Sequence, residues 1–177
     1  MQLNVGDQLP DFTGLTWQKK VIDSRTLRGR PLWLGLYRYA SCPLCNLRIH
    51  EIIQCWPELA AAGLQKLAVF ESDADSIAAH VGQQAPPFPL LADPQEKLYA
   101  LLGAQSSWAG FIHPGNVALL AQAARAGFLP GKMEGTKSRL PMDLLVDQNG
   151  VIRALFRASK IGDHIPFATV TAFLAGL

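Results

Sequence analysis

The chain has 177 residues, of which 49% are apolar and 17% charged, and its formal net charge is +2. This length suits one domain, so we predict a single domain over residues 1–177. The charge is too low for a disordered chain, and the longest apolar runs are too short to span a bilayer. The basic residues are scattered, which excludes the dense basic surface typical of proteins that bind nucleic acid.

The N-terminal residues and the cysteine count favour a cytoplasmic protein. The first seven residues lack the basic segment and the apolar segment of a cleaved export signal. Three cysteines are an odd number, which is unlike a purely structural disulfide framework. We therefore expect a protein of a reducing compartment that makes no contact with a membrane.

The first strand and helix are predicted on either side of a cysteine. Residues 32–39 form an apolar and aromatic run of strand length. Apolar residues then recur at helical spacing from Pro43 onward, and proline suits the first turn of a helix. This places Cys42 at or beside the N-cap, whereas Pro57 is expected to kink or end the helix.

The alternation of strands and helices continues after Gly63. A short buried strand is expected over residues 67–70, followed by a helix that Ser72 caps. A second short strand is expected at residues 90–91, and another helix extends through residues 98–102.

The last third of the chain combines an insertion with a hairpin. Residues 103–139 contain a predicted helix, at 116–126, between loops rich in glycine. Asn149-Gly150 then separates two apolar runs, which is the strongest short-range signal for a β-hairpin. A helix over residues 167–174 is expected to close the chain.

The order of these elements predicts an α/β fold. Alternating strands and helices favour a central, mainly parallel sheet with helices on both faces, and the late hairpin adds an antiparallel edge. The order fits a thioredoxin-like fold with a helical insertion at about residues 103–139.

The sequence Cys42-Pro43-Leu44-Cys45 lies where the first predicted strand turns into the N-terminus of a helix. Free N–H groups and the helix dipole stabilise a thiolate there, so we expect a depressed pKa for Cys42. Two intervening residues in a helical turn bring Cys45 close enough to form a disulfide with Cys42. We interpret the pair as a redox dithiol, with Cys42 as nucleophile and Cys45 as resolving thiol.

Two other interpretations of the pair stay open, namely half of a zinc site and two inert core cysteines. A zinc site needs two more ligands, and at about 100° per residue His50 and Cys55 point about 140° and 280° away from Cys45. Haem attachment requires histidine directly after the second cysteine, where this chain has Asn46. We expect no metal and no organic cofactor, and we interpret Cys55 as a buried, unreactive thiol.

Three residues outside the motif are candidates for supporting the thiols. Arg38 precedes Cys42 by four residues, and Arg48 follows Cys45 by one helical turn, so either guanidinium is a candidate source of positive charge beside a thiolate. In a thioredoxin-like topology, the loop with Pro141 faces the cysteine pair. We expect a cis Pro141 that presents its backbone to an extended substrate.

Residues 6–12, 38–45 and 144–153 resemble the AhpC/TSA redoxins, the peroxiredoxin-like branch of the thioredoxin superfamily. Within this family, residues 38–45 are similar to the peroxiredoxin-like proteins that carry a CxxC motif. The insertion and residues 156–166 are similar to the same group, so the likeness covers nearly the whole chain.

The chain departs from the typical peroxiredoxin pattern at the residues that bind peroxide. Peroxiredoxins place Thr or Ser three residues and Pro seven residues before the peroxidatic cysteine, whereas Tyr39 and Gly35 precede Cys42 here. Counted from Cys45, those positions hold Cys42 and Arg38. Pro141 takes the place of the family's activating arginine and is the residue that thiol-disulfide oxidoreductases use.

The resemblance and the motif together imply a thiol-disulfide oxidoreductase. Cys42 is expected to attack a disulfide or a peroxide, and Cys45 is expected to resolve the product. Thioredoxin or glutathione is the expected reductant. Two alternatives stay open: a thiol peroxidase that reduces hydrogen peroxide or organic hydroperoxides, and a non-catalytic redox sensor or binding module that uses residues 103–139 as its partner surface. The oligomeric state is open as well, a homodimer included.

Overall fold

The computed structural model describes residues 3–177. The strands are β1 (Thr13–Thr16), β2 (Val21–Asp23), β3 (Leu32–Leu36), β4 (Gln65–Phe70), β5 (Leu90–Ala92), β6 (Met142–Val146) and β7 (Ile152–Arg157). The α-helices are α1 (Pro43–Ala61), α2 (Ala74–Ala79), α3 (Lys97–Leu102), α4 (Trp108–Phe111), α5 (Asn116–Arg125) and α6 (Phe167–Ala175). Two short 3-10 helices lie at Ser24–Leu27 and Val81–Gln84.

The seven strands form one sheet in the order β2-β1-β5-β4-β3-β6-β7. Parallel pairing is confined to the three central strands β3, β4 and β5, so the sheet is mixed rather than mainly parallel as predicted. β6 and β7 form the antiparallel hairpin that the Asn149-Gly150 turn predicted. β6 also pairs antiparallel with β3, and β1 pairs antiparallel with β5. The predicted thioredoxin-like fold with its antiparallel C-terminal hairpin is confirmed.

Helices cover both faces of the sheet. Successive side chains in β3 and just after it point alternately into two apolar cores, one on each face. Trp33 and Tyr37 pack on one face, in the core that contains residues of α1, α2, α5 and α6. Leu34 and Leu36 pack on the opposite face, together with Leu98 and neighbouring residues of α3. Among residues 3–177, no helix has both the length and the apolar character needed to cross a bilayer.

Several predicted boundaries differ from the structure. Pro57 lies inside α1 and does not end it; the chain leaves the helix at Gly63, whose φ of 85° a residue with a side chain rarely adopts. The N-cap of α2 is Asp73 rather than Ser72, since the Asp73 carboxylate accepts the N–H of Ser76 at 2.8 Å. The hydroxyl of Ser72 instead accepts the N–H of Ala40, two residues before Cys42.

No hydrophobic period predicts the N-terminal hairpin β1–β2. Of the four residues of β1, just Thr16 is buried, and β2 contains no buried residue. A strand with so few buried side chains carries little of the alternation on which the other predictions rest.

Candidate active site

Cys42 is the N-cap of α1, and Pro43 occupies the first helical position as predicted. The strand β3 and the short loop after it deliver Cys42 to the carboxyl end of the central parallel strands. Cys45 lies one helical turn further along α1. Both thiols are free, and both residues are fully buried.

Arg38 contacts both cysteines, so the structure brings these three predicted residues together. Its Nη1 lies 3.4 Å from Cys42 Sγ, and its backbone N–H donates to Cys45 Sγ over 3.4 Å. The guanidinium also packs over the rings of Tyr39 and Phe111, with centroids 4.9 and 5.3 Å away. A buried cation held in this way stabilises negative charge on the neighbouring sulfur.

The two thiols have opposite pKa shifts. Burial opposes ionisation of Cys42, but hydrogen bonding from the Cys45 thiol, the charge of Arg38 and the backbone N–H groups of Cys45 and Leu44 together lower its pKa to about 6. Burial raises the pKa of Cys45 well above its ordinary value, and its hydrogen bond to Cys42 and the negative charge there add to the shift. At neutral pH, Cys42 is therefore a thiolate and Cys45 a thiol.

Arg48 and Cys55 lie away from this pair. Arg48 donates through Nη2 to the carbonyl of Ile165, and its guanidinium packs 4.0 Å from the ring centroid of Phe167. Cys55 is half-buried, and its sulfur contacts helix carbonyls at 3.5 Å. Burial raises the pKa of the Cys55 thiol, so this sulfur is a poor nucleophile.

Residues 37–42 connect β3 to α1, and we call them the cysteine loop. Pro141 lies at the same end of the sheet as this loop, since Met142 pairs with Leu36 at the end of β3. The prediction of a cis Pro141 is wrong, because residues 3–177 contain no cis peptide bond. The backbone here is already paired within the chain. The N–H of Leu140 donates to the carbonyl of Gln105, and the Pro141 carbonyl accepts the N–H of Ala158.

An irregular segment from the insertion covers the cysteine loop, and we call residues 129–138 the cover loop. The Ser41 hydroxyl donates to the carbonyl of Lys132 at 2.7 Å, and Arg38 Nη2 donates to the carbonyl of Lys137 at 2.7 Å. The closest approach is at Gly131, where a Cβ would lie 2.6 Å from Ser41 Cβ. The cover loop thus lies directly on both residues that flank Cys42 in space.

A carboxylate fastens the middle of the cover loop. Glu134 accepts hydrogen bonds from the hydroxyls of Ser72 and Ser76, the second at 2.8 Å. Ser72 Oγ also accepts the backbone N–H of Ala40 at 2.9 Å. Ser72 therefore joins the cover loop to the cysteine loop, a role that its position before α2 did not suggest.

The far end of the cover loop rests on a buried ion pair. Arg139 donates through Nε to Glu71 and through Nη2 to Glu96, the latter at 2.6 Å. Glu71 also accepts the N–H of Thr136 at 3.1 Å. Burial raises the pKa of Glu71 to about 7, although Arg139 beside it acts in the opposite direction.

A second buried polar group lies beneath α1, and we call Trp33, Lys66, Asp143 and His164 the sheet cluster. Asp143 accepts the indole N–H of Trp33 at 2.7 Å and lies 3.8 Å from His164 Nδ1. Burial lowers the pKa of Lys66 to about 7. The pKa of Asp143 falls to about 2, because His164, Lys66 and Trp33 outweigh its own burial. Gly35 provides the space, since a Cβ there would lie 2.6 Å from Lys66 Nζ.

The described residues contain no group of three or more His, Cys, Asp or Glu side chains arranged to hold a metal ion. His50 packs against the ring of Phe128, with centroids 5.8 Å apart. The site that the structure assembles contains the sulfurs of Cys42 and Cys45 and the guanidinium of Arg38.

Comparison with known proteins identifies the family. The AhpC/TSA family matches residues 5–155. The chain belongs to the AhpC/TSA family. A Haemophilus influenzae protein assigned as a peroxiredoxin, bcp, is 24% identical over 162 residues, which cover 92% of this chain and 91% of that protein.

Solved structures of peroxiredoxins share the fold. Peroxidoxin BcpB from Mycobacterium tuberculosis superposes with a TM-score of 0.72 and 16% identity, over 98% of this chain and 97% of that chain. A mutant of Xylella fastidiosa PrxQ superposes with a TM-score of 0.70 and 13% identity, over 98% and 94% of the two chains. Family and fold together make this AhpC/TSA protein a thiol-dependent oxidoreductase.

Proposed function

We propose that this AhpC/TSA protein is a thiol-disulfide oxidoreductase in which Cys42 is the attacking thiolate and Cys45 the resolving thiol. One observation carries the proposal: Arg38 Nη1 lies 3.4 Å from Cys42 Sγ, while the buried Cys45 beside it keeps its proton. A redox dithiol needs two thiols of different pKa, since the thiolate attacks the substrate first and the protonated thiol reacts only in the second step.

The reaction oxidises the pair by two electrons. The Cys42 thiolate attacks one sulfur of a substrate disulfide, which forms a mixed disulfide and releases the other sulfur as a thiolate. Cys45 then gives up its proton and attacks Cys42 Sγ. This step releases the second substrate thiolate, forms the Cys42–Cys45 disulfide, and leaves the substrate as two thiols once protons are taken up from water.

An external thiol closes the cycle by reducing the Cys42–Cys45 disulfide, and thioredoxin or glutathione fits this role. All three cysteines of the chain are free thiols, which suits the reducing cytoplasm where these reductants act. Reduction reverses the exchange, because the reductant's thiolate attacks the disulfide and a second thiol of the reductant displaces the protein.

A thiol peroxidase is the second candidate, and the peroxiredoxin relatives favour it. In this reaction the Cys42 thiolate attacks one peroxide oxygen, the O–O bond breaks, and the other oxygen leaves as hydroxide or alkoxide, which takes up a proton from water to give water or an alcohol. The product is a Cys42 sulfenic acid, which Cys45 converts to the disulfide with release of water. Arg38 beside Cys42 supplies positive charge for the leaving oxygen, but Tyr39 stands where peroxiredoxins have Thr or Ser.

The first test assigns the roles of the two cysteines. Reduced protein is mixed with oxidised glutathione or hydrogen peroxide, and thiol loss is followed by stopped flow. Cys42→Ser is expected to abolish the reaction. Cys45→Ser is expected to trap a mixed disulfide at Cys42 with oxidised glutathione, or a sulfenic acid with hydrogen peroxide, and mass spectrometry detects either product. Cys55→Ser is the matched control and should behave like the unchanged protein.

Each outcome separates the candidates. Consumption of one hydrogen peroxide per protein, at least about a hundredfold faster than a free thiol of the same thiolate content, supports the peroxidase. Peroxide consumption no faster than that of a free thiol, together with rapid disulfide exchange, supports the oxidoreductase. Full activity of Cys42→Ser would show that the assignment of the nucleophile is wrong.

A further inference from the structure

The nucleophile of the proposed reaction is closed off from solvent. Cys42 is fully buried, as is Cys45. A thiolate attacks in line with the bond that breaks, so the substrate's sulfur or oxygen has to reach Cys42 Sγ directly. Part of the protein therefore has to move before substrate reaches Cys42.

The cysteine loop itself is held firmly in place. The side-chain amide of Asn46 donates to the carbonyl of Ala40 at 2.8 Å and to that of Cys42 at 2.9 Å. Gln84 in turn donates to the Asn46 amide oxygen at 3.1 Å. The two bonds from Asn46 join the residues before α1 to the first turn of the helix, and they hold the backbone of Cys42 in place.

The cover loop is held much more weakly. It forms no helix or strand, and its large apolar side chains contribute little burial, because Leu129 is 70% exposed and Met133 is 42% exposed. Polar contacts at a few points hold it over the site. Segments with few buried apolar contacts open at a much lower free energy than the core does.

Glu134 supplies the central fastening of the cover loop. Its carboxylate accepts the hydroxyls of Ser72 and Ser76, and Ser72 Oγ accepts the N–H of Ala40. The fastening therefore acts on the peptide two residues before Cys42. Hydrogen bonds to a charged group are stronger than neutral ones, so this carboxylate contributes more to closure than the neutral contact between Ser41 and the Lys132 carbonyl.

We propose that the cover loop is a gate over Cys42 and that Glu134 is its latch. The inference rests on the proposed function in one respect, namely that Cys42 is the thiol that substrate has to reach. In the closed state, the hydroxyls of Ser41, Ser72 and Ser76 hold the gate over the site, together with the Arg38 contact to Lys137, while Thr136 anchors the far end of the loop on Glu71. In the open state, these hydroxyls bond water, and Cys42 Sγ faces solvent while α1 and the cysteine loop stay in place.

Alkylation of Cys42 by iodoacetamide tests the gate without any turnover. The full chain is reduced, the reagent is added at pH 7.5, and mass spectrometry assigns and times the modification of each cysteine. Glu134→Ala is expected to increase the alkylation rate of Cys42 about tenfold, because hydrogen bonds to its carboxylate no longer oppose opening. Ser76→Ala removes one of the two hydroxyls from outside the loop and is expected to give a smaller increase.

Met133→Ala is the matched control, since it truncates a neighbouring, largely exposed side chain of the same loop. Its alkylation rate should equal that of the unchanged protein. A larger reagent sharpens the test, because an aryl maleimide needs a wider opening than iodoacetamide does. The increase in Glu134→Ala should therefore be greater for the maleimide.

The dependence on pH separates access from thiolate chemistry. Since Glu134→Ala leaves Arg38 beside Cys42, the midpoint of the rate should stay near the pKa of about 6 while the plateau rises. Equal rates in the unchanged protein, Glu134→Ala and Met133→Ala would overturn the gate, and so would a lower midpoint with an unchanged plateau. Modification of Cys45 in place of Cys42 would contradict the proposed function, while the ratio of rates between variants would still judge the gate.

Discussion

The two buried polar regions of this protein are enclosed in different ways. The sheet cluster lies between α1 and the sheet, and Lys66 and Asp143 belong to strands that flank β3 on either side. The active site lies at the end of the same strands and is closed by a loop without regular structure. Opening the first requires the sheet and α1 to separate, whereas opening the second requires the movement of about ten residues.

This difference shows that equal burial does not mean equal access. Cys42 and Trp33 are both fully buried, yet Trp33 belongs to a strand that is paired on both sides. Unfolding of paired core strands costs as much as global unfolding, while a loop held by polar contacts opens far more often. The sheet cluster is therefore expected to govern stability and the cover loop to govern reactivity.

The largest expected effect is on the sheet cluster. Asp143→Ala leaves the buried N–H groups of Trp33 and Ile165 without an acceptor and removes the negative charge that favours the Lys66 ammonium. Each buried donor left without its acceptor costs about 1–3 kcal/mol of the free energy of unfolding, so the two together make this the largest expected loss. Urea denaturation followed by tryptophan fluorescence measures the loss.

Asp11→Ala is the matched control for Asp143→Ala, because Asp11 forms an exposed ion pair with Arg28 at 2.7 Å. Exposed pairs contribute little, so its denaturation midpoint should be nearly unchanged. If both variants lose the same stability, or neither loses any, the sheet cluster does not hold the sheet to α1.

The cysteine pair could be predicted from the sequence, whereas the sheet cluster could not. The place of Cys42 follows from a local pattern, an apolar strand followed by a proline that begins a helix. Trp33 and Asp143 are 110 positions apart, and the fold brings them together only through the pairing of β3 with β6. His164 belongs to the same cluster, and no spacing in the sequence relates it to Asp143.

The next effect concerns the charge beside the thiolate. Since Arg38 lowers the pKa of Cys42, the thiolate is present above about pH 6 and is lost as the pH falls below that value. Arg38→Met is expected to raise the midpoint of the alkylation rate by about 1–3 pH units, as removal of an adjacent opposite charge does. The rate of iodoacetamide modification between pH 4 and 10 measures the shift.

Lys137→Ala is the control for Arg38→Met, because it removes a nearby positive side chain but keeps the carbonyl that Arg38 contacts. The pH midpoint of the alkylation rate in Lys137→Ala should stay near 6. An unchanged midpoint in Arg38→Met would show that the helix N-terminus and the Cys45 thiol suffice to stabilise the thiolate. Arg38→Met also loosens the cover loop at Lys137, so its plateau rate should rise even as its midpoint shifts.

The cover loop shows where prediction from the sequence ends. A helix within the insertion was predicted, and α5 confirms it, since hydrophobic period and flanking glycines carry that signal. The contacts of the cover loop have no period, and they join residues 62 and 91 positions apart. The pairing of Leu140 with Gln105 and of Pro141 with Ala158 is equally invisible in the sequence, and the expectation of a cis Pro141 was wrong. A single domain over residues 1–177 stays a prediction.

Two glycines provide the finest test, since both meet a neighbour at the same distance in different surroundings. A Cβ at Gly35 would lie 2.6 Å from Lys66 Nζ, and a Cβ at Gly131 would lie 2.6 Å from Ser41 Cβ. Gly35→Ala overpacks the sheet cluster and is expected to cost about 1–3 kcal/mol of the free energy of unfolding. Its alkylation rate at Cys42 should be unchanged.

Gly131→Ala is expected to do the reverse. The new Cβ pushes the cover loop away from Ser41, and the loop yields because little apolar surface holds it there. Alkylation of Cys42 should then become several-fold faster, while the urea midpoint moves little, since opening of the gate leaves the sheet intact. Loss of stability in Gly131→Ala equal to that in Gly35→Ala would mean that the cover loop belongs to the same cooperative unit as the sheet, and burial at the active site would then be as permanent as burial beneath α1.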